Sequence, residues 1–598
     1  MVEIKNNTMK NTYKIIVVLI LGLVGCNDDF LDTNPESSLA KDNFFNSESD
    51  LQLYVNGLHS LPGYGMFLGD QGTDDMATTG AVEIKNITIG SPSAENIGSG
   101  WSWSRLRSVN FFLENFEKAE IEVDAKMHFE GLGKYYRAEF YFDKVKRFSD
   151  VPWYSKTLDP EDESLYKPRD PRALVVDSII SDIQFASQYI REDVAYGNID
   201  KWSAIMLQAR IALYEGTYRK YHSELNLHGT ANEYLEMAMN AAKELMDSGN
   251  FDIHNTGNPD QDYAALFNSE DLSGNSEAIL VNVYDVDKKK TSGNGTVFGN
   301  YEQSASKALM DSYLMSDGAR FSEQAGSKSF GFVQEFQNRD PRLSQTFVYP
   351  GWISAGSTNP YVLELNKNFT GYHQIKGYNN TVESAGVDVA VYRYAEALLI
   401  YAEAMAELGT IEQDDLDVSL NKLRGRAGLP NLDLTVANNN IDPILESDFP
   451  NVTGSNKGVI MEIRRERRVE FAVESFRFDD LMRWHAGKIL EEIPQGMYFP
   501  GLGKYDMTGD GVVDISIISS SEDIPSPKET NSLGVDLIYY KAGFFGDSSA
   551  SLFLSNGTSG NMVTSVDQPS FVEPKYYYRP IPAHQVALNP QLKQIMGW

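Results

Sequence analysis

From Lys134 to Met246, and again from Val391 to Leu408, the apolar residues keep returning at intervals of three and four, and that spacing restricts these stretches to helices lying on helices. Lys134 to Phe148 carries Tyr135, Ala138, Phe142 and Val145 on one face. Pro152 then ends the helical pattern, because a proline disfavours helix at the residue before it. A second helix is expected from Pro171, with Val175, Ile179, Ile183 and Ala186 along one side. Trp202 to Tyr218 and Tyr234 to Met246 form a pair rich in Ala and Leu, closed by Ser248-Gly249-Asn250. The design returns at Val391 to Leu408, ended by Gly409 and followed by a shorter partner over Leu416 to Leu423. Helix pairs of this length, with small residues at the contacts, predict a mainly α scaffold of tetratricopeptide-like pairs. An irregular helical bundle is the other arrangement with this pattern.

The helical pattern is interrupted twice. Residues 255–385 and 490–575 are rich in Gly, Asn, Ser and Tyr, and predict loop-rich insertions with short strands. The expected organisation is one domain over 51–598. Its helical scaffold covers about 51–254 and 386–489, and the two insertions decorate it.

The N-terminus is a separate device. Lys5, Lys10 and Lys14 precede an apolar run from Ile15 to Val24, and Gly25 then leads to Cys26. That run falls short of the roughly 20 residues that span a bilayer and fits a signal peptide over 1–25. Leu23-Val24-Gly25-Cys26 resembles the lipobox of bacterial lipoproteins, in which the cysteine becomes N-terminal and acylated. Residues 26–50 read as a polar leader from the lipid to the fold. Cys26 is the only cysteine, so no intramolecular disulfide and no all-cysteine metal site can form.

Charge narrows the partners. The 52 Lys+Arg against 84 Asp+Glu leave a formal net charge of −32. Such a body repels nucleic acid and anionic membrane surfaces, so any membrane attachment must be covalent or inserted. The arginine-dense stretch from Glu462 to Trp484 carries equal numbers of acids and bases, with glutamates every fourth residue and phenylalanines between them. It reads as a partly buried ion-pair helix, not a nucleic-acid surface.

Sites are less legible. There is no HExxH, G-x-S-x-G, P-loop or G-x-G-x-x-G signature, and the eight histidines show no metal-ligand spacing. No catalytic residue and no catalytic cofactor is assigned. Trp101, after a Gly/Ser stretch, is expected to be an exposed platform for stacking on flat apolar faces. Trp103 is expected to begin a helix through Leu106, Val109 and Leu113. Asp74 and Asp75 are assigned to sugar hydroxyls, and Trp352 and Tyr372 join the candidate ligand site on composition alone. Asp506, Thr508, Asp510, the Val512 carbonyl and Asp514 follow the oxygen spacing of a calcium loop around Gly511, with Ile517 where a bidentate Glu would complete it. A structural calcium is the cofactor this predicts.

Several stretches together resemble the SusD/RagB family of outer-membrane nutrient-binding lipoproteins. They begin with Cys26 and Phe30-Leu31-Asp32-Thr33-Asn34-Pro35. They continue through Arg137-Ala138 and Phe148-Ser149-Asp150-Val151-Pro152, where the family usually has Gly in place of Ser149. Asn338-Arg339-Asp340-Pro341-Arg342-Leu343, Arg393 to Leu399 and Leu423 to Leu429 follow in order. Arg464 to Arg467, Glu470-Phe471, Arg477 to Leu481, Pro580-Ile581-Pro582 and Asn589-Pro590 complete the resemblance. It implies a protein on the cell exterior that binds a glycan without cleaving it and delivers it to a SusC-like TonB-dependent transporter. A surface carboxylate glycosidase and a surface adhesion protein without carbohydrate affinity are the rival readings. The family motifs are scaffold residues, so they carry no ligand contacts onto this sequence.

Overall fold

The structure is a computed structural model and describes residues 44–288, 290–380 and 386–598. The apolar run, Cys26 and most of the leader lie outside these residues. Helix makes up 43% and strand 10%, so the fold is mainly α, as the spacing predicts.

The first half is built from α1 (Glu48–Leu58), α2 (Ser104–Asn115), α3 (Val123–Phe148), α4 (Arg172–Tyr189), α5 (Lys201–Tyr221) and α6 (Ala231–Asp247). Helix α3 packs along α4, and α5 along α6, as successive antiparallel neighbours. The predicted faces are the buried ones: Tyr135, Ala138 and Val145 of α3 and Val175, Ile179, Ile183 and Ala186 of α4 are all sealed in one core. Helix α3 starts at Val123, eleven residues before its first predicted position, because Gly131 and Gly133 lie inside it. Gly133 has no Cβ where Leu113 and Phe112 close in, so the glycines serve close packing rather than a turn.

The second half of the scaffold adds α7 (Tyr394–Leu408), α8 (Leu420–Arg426), α9 (Lys457–Glu470) and α10 (Arg477–Arg483). Helix α7 packs on α6 and α9, which joins the two halves. Gly409 caps it in the left-handed region at φ +81°. The expected helical start at Val391 is corrected: Val389–Arg393 is a strand, paired antiparallel with Ala278–Asn282. Valines and a tyrosine alternating over five residues suit a pleated, half-covered surface better than a helix. The helix expected over Leu416 to Leu423 is also corrected, because the chain breaks at Ser419 between Gln413–Asp417 and α8.

The loop-rich stretches fold onto a second core. It gathers Trp352, Tyr372, Met497, Ile515 and Tyr540 under short strands. The largest sheet there has four strands in the order Gly503–Tyr505, Ile515–Ser519, Ile538–Gly543 and Leu552–Phe553.

Candidate functional site

The arginine-dense segment is the joint on which the loops are hung. Glu470 of α9 is fully buried, and its two carboxylate oxygens accept from Arg393 Nη1 at 2.5 Å, Arg426 Nη2 at 2.5 Å and Arg342 Nη1 at 2.8 Å. Each of these arginines comes from a different part of the chain, so the network ties the short helix Arg342–Thr346, a strand end and α8 to α9. Next to it, Lys376 donates to Glu474 at 2.6 Å and to the Tyr263 hydroxyl at 2.5 Å. Burial pushes the Lys376 ammonium down to about 8, against the pull of Glu474.

The same electrostatics correct the assignment of Asp74 and Asp75 to a ligand. Both are buried, and Arg468 lies 2.9 Å from Asp74 and 2.6 Å from Asp75. Arg477 donates to both oxygens of Asp74, at 2.9 and 2.7 Å. Their partners stand nearly 400 residues away in sequence, which no local pattern reveals. These carboxylates hold the segment at residues 70–78 onto α9 and α10, and both are engaged by arginines.

Trp101 is corrected as well. It is a buried wall, only 8% exposed, edge-on to Phe148 at 4.8 Å and to Trp103 at 5.4 Å. Trp103 stands at the start of α2, as expected, and both indoles line a cleft of about 450 Å³ with Arg107, Tyr154, Tyr166 and Leu588. Tyr372 is corrected to a core residue: it is fully buried, and its hydroxyl donates to Glu335 at 2.7 Å.

Trp352 is buried too, but it belongs to an aromatic cluster that opens on solvent. Phe298 lies between His373 and Tyr378, stacked at 4.4 and 4.9 Å, and Trp352 and Tyr361 close around it at 5.3 and 5.6 Å. Offset and edge-on rings at these separations reinforce one another. Beside the cluster is an open cleft of about 470 Å³, lined by Tyr349, Trp352, Tyr378, Lys376, Asp260 and Asn268. Tyr349 is 37% exposed, and Asp260 and Asn268 are exposed at the rim. Tyr349, Tyr378 and Asn268 carry no local pattern that marks them, because positions 260–268 and 349–380 meet only after the insertion folds back on itself.

The Asp506–Asp514 loop joins two antiparallel strands. Asp506 Oδ1 accepts from the N–H groups of Thr508 and Gly509, and Oδ2 from Gly511 at 2.8 Å. Asp514 Oδ2 accepts from Met507 and Thr508, and Asp510 Oδ1 from Val512. Gly509 and Gly511 take positive φ, at +78° and +83°, which this tight turn requires.

Set against known proteins, a sequence model of the SusD family matches residues 247–598, more than half of the chain. SusD-like protein P2 of Formosa agariphila is 24% identical over 505 residues, 79% of this chain and 91% of that protein. SusD-like protein P25 of the same organism is 24% identical over 521 residues, 79% of this chain and 89% of its own length. Among solved structures, a SusD-like protein of Bacteroides fragilis superposes with a TM-score of 0.67 at 20% identity, covering 95% of this chain and all of that one. A second from B. fragilis, described as a SusD-like carbohydrate-binding protein, gives 0.66 at 21% identity, with 92% of this chain and all of the other covered. The shared motifs run in order through the scaffold, the fold is shared along almost all of its length, and the chain belongs to the SusD family.

Proposed function

We propose that the protein is a glycan-binding lipoprotein of the outer membrane, anchored through Cys26 and facing the cell exterior. It captures oligo- or polysaccharide and delivers it to a SusC-like TonB-dependent transporter. Its order along the chain is a signal peptide over 1–25, a leader over 26–50 and one SusD-like domain over 51–598. No described helix is long and apolar enough to cross a membrane; in this reading a lipid on Cys26 supplies the attachment. The observation that carries the binding reading is the open cleft beside the Phe298 cluster. There a half-exposed tyrosine ring stands next to an exposed carboxylate and an exposed amide. A sugar ring needs that pairing, an apolar face to stack on and polar groups at its edge. The carbohydrate-binding description of the B. fragilis relative agrees with it.

Tyr349→Ala is expected to weaken binding to a retained polysaccharide about tenfold, about 1.4 kcal/mol, while the melting temperature holds. Affinity calorimetry on the wild type and the variant measures this. Affinity in the wild type should be modest, because an open cleft leaves much of the sugar solvated. The same incubations should leave glycan length unchanged. Shortened products at enzyme-like rates would favour a carboxylate glycosidase, and the absence of affinity for any glycan would favour an adhesion protein.

Structural calcium at the Asp506–Asp514 loop is part of this proposal. Asp510 reaches into solvent, and a cation there would offset the three clustered carboxylates. With Ile517 in the twelfth position, the dissociation constant should fall near 10⁻⁴ to 10⁻³ M, about that of extracellular modules. Millimolar calcium should therefore raise the melting temperature relative to chelator, and Asp510→Ala should abolish the difference. A wild-type melt indifferent to calcium leaves the loop as an acidic turn.

A further inference from the structure

A second group of side chains converges outside the cleft. His222 directly follows α5, Glu224 lies in the short turn after it, and His485 follows α10. The ligand atoms of these three residues all lie within 4.8 Å of one another. His222 Nε2 lies 2.8 Å from the Met482 carbonyl oxygen, an acceptor only, so Nε2 carries the proton and donates it. Its Nδ1 faces Glu224 Oε1, 2.8 Å away, a separation that a second ring proton or a metal ion can bridge.

The surroundings have the form of an outer coordination shell. The Tyr578 hydroxyl donates to the Glu224 oxygen at 2.8 Å. Tyr577 donates to Glu573 at 2.5 Å, and Glu573 lies 3.6 Å from His485 Nδ1. Metal-bound imidazoles commonly donate their remaining N–H to a carbonyl, and ligating carboxylates are themselves hydrogen-bonded. His485 is held at φ +53°, a left-handed conformation that costs a non-glycine residue energy. That conformation turns the imidazole toward His222, with ring centroids 4.7 Å apart. Its side chain is 24% exposed and that of Glu224 17%, so the group is reachable from solvent.

We propose that His222, Glu224 and His485 form a site for a divalent transition metal, with Zn²⁺ the best match. Two imidazoles and one carboxylate suit borderline ions and not calcium, which takes oxygen ligands. Ligand atoms around a tetrahedral zinc stand about 3.3 Å apart, and the partly exposed His485 ring has room to close that distance. Glu573 or water completes the coordination. Bound there, the ion clasps the ends of α5 and α10 to the C-terminal segment carrying Tyr577 and Tyr578.

The test is titration of the metal-stripped protein, purified without an affinity tag, with ZnCl₂ by calorimetry. One equivalent should bind saturably, and the melting temperature should rise with zinc concentration. His485→Ala and Glu224→Gln should each weaken binding at least tenfold, whereas His228→Ala, at an exposed position just beyond the cluster, should not. Cobalt in place of zinc should give the visible absorption of a low-coordinate site in the wild type and lose it in His485→Ala. No saturable uptake, or equal affinity in a folded His485→Ala protein, overturns the assignment and leaves a proton between His222 and Glu224.

Discussion

Glu470→Gln is expected to destabilise the fold by about 3–5 kcal/mol, the cost of removing one partner from a buried ion pair. Glutamine keeps the volume but offers one acceptor oxygen where Glu470 presents two to Arg342, Arg393 and Arg426. Its amide N–H₂ would also face a guanidinium. None of these arginines is more than 3% exposed, so water cannot replace the lost bonds. Burial alone would raise the Glu470 carboxyl; Arg426, Arg393 and Arg342 together outweigh it and hold the group far below the usual carboxylate range. A depressed folded value means this stabilisation is fully present above the unfolded value near 4.3. It is lost as pH falls from there toward the folded value, so the variant should also lose part of the wild type's acid dependence. Urea unfolding measures the difference. The matching control is Glu446→Gln, whose pair with Lys457 is half-exposed and should contribute about 0–1 kcal/mol. A Glu470→Gln protein within about 1 kcal/mol of wild type would refute the network's role.

That network also bears on binding, because the cleft walls hang from it. Tyr263 donates to the Glu470 backbone carbonyl at 2.6 Å, and Lys376 at the cleft holds both Tyr263 and Glu474. Gln345 of the same wall donates to the Pro259 carbonyl, drawing the 259–268 and 342–349 segments together. Loosening Glu470 should therefore widen the cleft as well as lower stability. The scaffold positions the loops through buried charge as well as through apolar packing.

The scaffold was legible because a helix writes its burial at intervals of three and four, and the faces of α3 to α6 are continuous in sequence. Its failures have one cause. Val389 to Arg393 becomes a strand only because Ala278 to Asn282 arrives beside it, and Trp101 becomes core only because Phe148 does. The assignment of Asp74 and Asp75 to a ligand has the same cause: they look free until Arg468 and Arg477 fold against them. Backbone strain was legible at one point. Ser149, standing where the family usually has glycine, takes φ +60° and ψ −89° at the end of α3, a conformation that favours a residue without Cβ. Of the Tyr349 cleft only Trp352 was singled out in the sequence, and the His222 group was not, since each is assembled from separate segments.

Cys26→Ala should move the protein from the membrane to the soluble fraction, the largest change in behaviour expected of a single substitution here. A body with a formal net charge of −32 is repelled by anionic lipid, so nothing in its surface charge can substitute for the lost acyl chains. Each buried methylene of a lipid contributes about 0.8 kcal/mol, so one chain binds only marginally and a multiply acylated cysteine binds stably. Removing the acceptor thus removes nearly all of the attachment at once. Glycan affinity in solution should be unchanged, because the cleft residues lie more than 200 positions downstream of the anchor. Growth on the glycan, by contrast, should suffer, because capture and transport would no longer occur on the same surface. Fractionation of cells carrying either form, with the purified proteins compared by calorimetry, separates the two effects. A variant that remains in the membrane fraction would refute the lipid anchor.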